Sequence, residues 1–79
     1  MPIERPVPPS IFRKILELEG FTLAKEDAYN WAFTKDGIVH PVIVPHMIDL
    51  VPLEVMSAIL DIAKIPPGLF ASLREQANV

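Results

Sequence analysis

Apolar positions first recur with a helical period between residues 10 and 20. Ile11, Phe12, Ile15 and Leu16 fall on one stripe, while Arg13, Lys14 and Glu17 face the other way. Ser10 stands where an N-cap is expected, and Gly20 where a left-handed residue ends a helix. The spacing therefore predicts a first helix bounded by these two residues. The period then changes to two. Residues 21–25 read as a short strand and Lys25-Glu26-Asp27 as its turn. Residues 28–34 alternate, with Tyr29, Trp31 and Phe33 on one face and Ala28, Asn30 and Ala32 on the other.

Asp36-Gly37 is a hairpin signal, because Asp-Gly tolerates the positive φ angles of tight two-residue turns. Residues 38–45, rich in Val and Ile, form the predicted third strand. Pro41 lacks an N–H to donate, which places that strand at a sheet edge. A two-residue turn sets Lys35 against Ile38, Phe33 against His40, and Asn30 against Ile43. Residues 46–51 read as a loop. Pro52 suits the first position of a second helix, and Glu54 suits the positive end of its dipole. Leu53, Met56, Ile59, Leu60 and Ala63 make the buried stripe of that helix. Lys64 closes it and Pro66-Pro67 stop it, before a short last helix from residue 67 to about 76 anchored by Phe70 and Leu73.

The pattern implies an α+β domain of two layers, α-β-β-β-α with a short C-terminal helix, whose helices cover one face of a three-stranded meander. A domain this small needs its large aromatic side chains inside, so Tyr29, Trp31 and Phe33 are expected on the helix side. The other face then carries Ala28, Asn30, Ala32, Val39, Pro41 and Ile43, which makes it apolar and almost uncharged. Such a face reads as a surface covered by another protein or by a second copy of the chain, with Ala28, Ala32, Val39 and Ile43 as its contact residues. Coverage by the N-terminal segment, or a reversed assignment of the two faces, is the alternative.

Composition narrows the picture. Seventy-nine residues, 51% apolar and 22% charged, make one folded domain. Four of the nine prolines lie in residues 2–9, which are expected to form an extended arm (1–9) ahead of a single domain (10–79). Without cysteine, neither disulfides nor thiolate metal sites are available. No apolar run reaches membrane-spanning length and no apolar leader follows Met1, so a cytoplasmic protein with no membrane partner is expected. A net charge of −3 with scattered Lys and Arg weighs against tight RNA or DNA binding.

From about Ile11 to Leu73 the chain resembles the HicA (YcfA-like) family. The likeness rests on an ordered set of features: Glu19-Gly20-Phe21 after the first helix, an aromatic strand ending in Phe33, Asp36-Gly37, a β-branched strand closing in Val44-Pro45, and the helix 57–63. The resemblance implies a fold like the double-stranded-RNA-binding domain, mRNA interferase activity, and a HicB-like antitoxin as partner in a toxin–antitoxin system. The family's catalytic histidine follows Gly-Ser near the start of the second strand. Here that run is Ala28-Tyr29-Asn30, which places Asn30 at the histidine's position. Asn has no proton to exchange near neutral pH, whereas imidazole does. The basic residues expected before the second helix are replaced by Val51-Pro52-Leu53-Glu54-Val55.

The resulting expectation is a catalytically degenerate protein-binding or oligomerising module that uses no cofactor or metal. The alternative is an RNA-cleaving enzyme whose base has moved to His46 or His40. His46 lies in a loop with Asp49 as the nearest carboxylate in sequence, too few ligands for a metal site. A metabolic enzyme finds no support, for the chain has neither a phosphate-binding glycine loop nor a nucleophile motif.

Overall fold

The computed structural model describes residues 6–77. The elements run α1 (Pro9–Leu18), β1 (Thr22–Glu26), β2 (Asn30–Thr34), β3 (Val42–Pro45), α2 (Leu53–Ala63) and α3 (Pro67–Ala77). The strands form one antiparallel sheet in the order β1-β2-β3. This is a small α+β fold, and β3 lies at an edge, although Pro41, expected inside that strand, falls in the connection before it.

Each helix is built from its own stripe. Phe12, Ile15 and Leu16 of α1, and Met56, Ile59, Leu60 and Ala63 of α2, are buried with Phe33, Val42 and Val44 of the sheet. Both α1 and α2 pack against β3. The last helix is as long as α2 and belongs to the core. Its Phe70, Leu73 and Ala77 are buried, and the Phe70 ring meets that of Phe12 on α1 at 5.8 Å. The N-terminal segment contributes as well. Val7 is buried and bridges to Val51, whose N–H donates to the Val7 carbonyl at 2.8 Å. The first five residues of the expected arm lie outside the described residues.

Several local expectations are corrected. Ser10 does not cap α1. Pro8 holds the N-cap position and Pro9 the first turn, where a missing N–H costs nothing. Pro52 likewise precedes α2 as its N-cap. Gly20 does end the first helix in a left-handed conformation (φ 96°), and the Phe21 N–H reaches back to the Leu16 carbonyl at 2.9 Å. At the end of α2 the same role falls to Lys64, at φ 59° and ψ 42°.

Residues 28 and 29 are turn, not strand. One oxygen of the Asp27 carboxylate accepts the N–H groups of both Tyr29 and Asn30 at 2.8 Å, which diverts the backbone from the ladder. Tyr29 consequently stands 66% exposed and is not a core aromatic.

The Asp36-Gly37 turn forms, with the Ile38 N–H donating to the Lys35 carbonyl, yet it does not launch the third strand. Positive φ occurs at Gly37 alone, whereas the tightest Asp-Gly hairpin turn needs it at both central residues to match strand twist. Residues 38–41 leave the ladder, and pairing resumes with Phe33 opposite Val42 and Asn30 opposite Pro45. His40 therefore does not face Phe33. The register is displaced by an even number of residues, so the inward and outward sets keep their sides.

Between β1 and β2 the register slips at Ala24, so that Lys25 pairs with Ala32 and Glu26 with Trp31. This bulge moves Lys25 onto the outer face. Together with Thr22 and Thr34, it makes that face mixed rather than almost uncharged.

Candidate functional site

The densest meeting of functional side chains surrounds Trp31. Its half-buried indole packs edge-on to Phe33, with ring centroids 6.4 Å apart. The His46 imidazole stacks on it at 4.7 Å with 16° between the planes. The Arg13 guanidinium carbon lies 4.9 Å from the ring, and the indole N–H donates to Glu26 Oε2 at 3.2 Å. Arg13 also pairs with Glu17 one helical turn on, at 3.3 Å. Helix α1, the end of β1, β2 and the residue after β3 thus meet at one aromatic ring.

His46 is held from three sides. Its backbone N–H donates to the Tyr29 carbonyl at 2.9 Å, its ring stacks on Trp31, and its Nε2 lies 2.8 Å from the Asp27 carbonyl oxygen. A carbonyl only accepts, so Nε2 carries the proton and Nδ1 is left as the lone-pair nitrogen of the neutral ring. The Asp27 carboxyl is held below its ordinary range by the Tyr29 and Asn30 N–H donors, with the nearby His46 and Lys25 adding in the same direction. The arrangement braces the β1–β2 turn against the end of β3.

The residues that the sequence singled out are dispersed. Asn30 opens β2, half-buried, with its N–H captured by Asp27. It falls on the opposite face of β2 from Trp31, and so from the ring against which His46 stacks. His40 is exposed in the 38–41 connection, without a hydrogen bond or ion pair among the described residues. Among the four contact residues, Ala32 and Ile43 are direct cross-strand partners on the outer face, and Ile43 is 46% exposed. Ala28 lies in the turn and Val39, 88% exposed, in the connection, both off the ladder.

Among the described residues no group of three or more His, Asp or Glu side chains is placed to hold a metal ion. An open polar depression lined by Gly20, Thr22, Thr34, Lys35 and Asp36 carries one cation, one anion and two hydroxyls, with no imidazole to activate them. No single helix among the described residues is long and apolar enough to cross a membrane. The brace around Trp31 escaped the sequence reading because its members come from four separate elements. Only Asp27, poised to bind the N–H groups two and three residues on, left a local signal.

No family model, curated protein or solved structure matches this chain.

Proposed function

We propose that this chain is a catalytically degenerate, HicA-like protein with the α-β-β-β-α arrangement of double-stranded-RNA-binding domains. It acts by binding protein, either a HicB-like partner in a toxin–antitoxin system or a second copy of itself. The order of elements and the single antiparallel meander support the fold assignment. One observation carries the loss of chemistry. Asn30, which stands at the histidine's position by the resemblance, lies on the outer face, while the better placed of the two histidines is spent on bracing the opposite face. The competing reading, a relocated base at His46 Nδ1, needs cations to hold phosphate. The arginine nearest it in the cluster is already paired with Glu17.

The contact surface of this reading is the outer sheet face centred on the Ala32–Ile43 pair, with Val39 and Ala28, both off the ladder, as its outlying members. Lys25 adjoins Ala32 on the other side and tilts the surface toward a partner with a carboxylate at that point. With so few apolar groups on the ladder itself, affinity in about the micromolar range is expected for self-association. Sedimentation equilibrium of wild type and Ile43→Lys tests the surface, and incubation with a labelled single-stranded transcript tests the chemistry. The expected results are concentration-dependent association that Ile43→Lys abolishes, and an intact transcript. Cleavage that disappears with His46→Ala or His40→Ala overturns the degenerate reading.

A further inference from the structure

The densest run of exposed large apolar side chains along the described residues lies outside the strands, in the loop after β3 and the start of α2. Met47 is 64% and Leu50 50% exposed, and Ile48 and Leu53 are exposed beside them. These four fall within seven consecutive residues, so chain connectivity alone keeps them together. Both ends of the loop are fixed. His46 is pinned to Asp27, Tyr29 and Trp31, and Val51 is fully buried and hydrogen-bonded to Val7. The intervening residues are exposed between two anchored ends instead of folding back into the core.

Charge identifies the partner. Asp49 and Glu54, both exposed, are the charged residues of the segment 46–55, which contains no Lys or Arg. An anionic membrane surface is repelled by this pattern. A symmetric contact through this segment brings both copies' Asp49 and Glu54 into one interface, with no Lys or Arg of the segment to offset them. A cationic segment with one apolar face suits both the carboxylates and the aliphatic side chains, and the unbranched Met47 adapts to its shape.

We propose that residues 47–50 and the start of α2 dock a basic amphipathic segment of another protein. The inference rests on the protein-binding reading above and adds to it a second site and a partner chemistry. The probe is a synthetic amphipathic helix of Leu and Lys, titrated into isotopically labelled protein, with a Leu/Glu helix as control. The amides of residues 47–54 are expected to shift with the Leu/Lys helix and to stay unmoved by the control. Leu50→Ser is expected to weaken binding by about tenfold or more without changing the thermal midpoint, since that side chain is half exposed. The paired change Asp49→Asn with Glu54→Gln is expected to flatten the salt dependence.

Shifts centred on Lys25, Ala32 and Ile43 overturn the docking site but leave the protein-binding reading standing. Loop shifts that track protein concentration without peptide make the occupant a second copy and also overturn it. Absence of binding by the Leu/Lys helix overturns it as well. If wild type is then a strict monomer in sedimentation, the self-association form of the protein-binding reading falls with it.

Discussion

Replacing Phe70 with Ala tests whether α3 is part of the folding unit. The side chain is 3% exposed, and its ring lies 5.8 Å from that of Phe12, which is itself fully buried on α1. Removing a buried phenyl group with incomplete collapse of its site costs about 3–5 kcal/mol. A domain of this length has a total stability of about 4–12 kcal/mol, so the loss is a large share of it. At about 4–8 °C per kcal/mol, the thermal midpoint should fall by at least about 12 °C.

Urea unfolding followed in parallel by far-ultraviolet circular dichroism and by Trp31 fluorescence separates two outcomes. If α3 folds with the rest, both signals move together to lower urea. The Phe70→Leu variant, which keeps most of the volume, should fall between, at about 1–2 kcal/mol. Leu69→Ala, on the exposed side of the same helix, should lose under about 1 kcal/mol. An unchanged Trp31 midpoint with loss of helical signal in Phe70→Ala would refute the reasoning, because α3 would then detach without disturbing the core it is said to close.

Two further outcomes follow from backbone and charge. Lys64 adopts a left-handed conformation that disfavours any residue with a Cβ, so Lys64→Gly should raise stability by up to about 1 kcal/mol in the same urea assay; a loss would show that the side chain does more than cap α2. Asp27→Ala removes the acceptor of two turn N–H groups and should lower stability at neutral pH. The folded carboxyl titrates below its unfolded value, so its contribution is full above that value and is lost as pH falls through the lower folded one. The stability gap between wild type and Asp27→Ala should therefore narrow below about pH 4, and a gap unchanged down to about pH 2 would show that the carboxylate charge is not what holds the turn.

The three helices and the two alternating faces of β2 and β3 were legible because each is a local periodicity. Ile11 to Leu16 and Leu53 to Ala63 repeat every three to four residues, and a single chain segment sets which side is apolar. Chain length and the spacing of Gly20, Asp36-Gly37 and Pro66-Pro67 then leave few ways to order the elements, so the α+β class also followed.

What periodicity leaves open is how neighbouring strands align. The same Asp-Gly dipeptide supports more than one turn, and here positive φ at Gly37 alone releases residues 38–41 and carries His40 away from Phe33. The bulge at Ala24 exists only relative to β2, and it places Lys25 beside Ala32 on a face that alternation alone leaves nearly uncharged. Tyr29 left the core because Asp27 offers its backbone N–H a nearer acceptor than a strand partner. His46 joined Trp31, and Val7 joined Val51, through contacts between segments far apart in the chain. Periodicity is a property of one segment read alone, whereas register, bulges and aromatic stacking depend on which segments meet, and packing settles that.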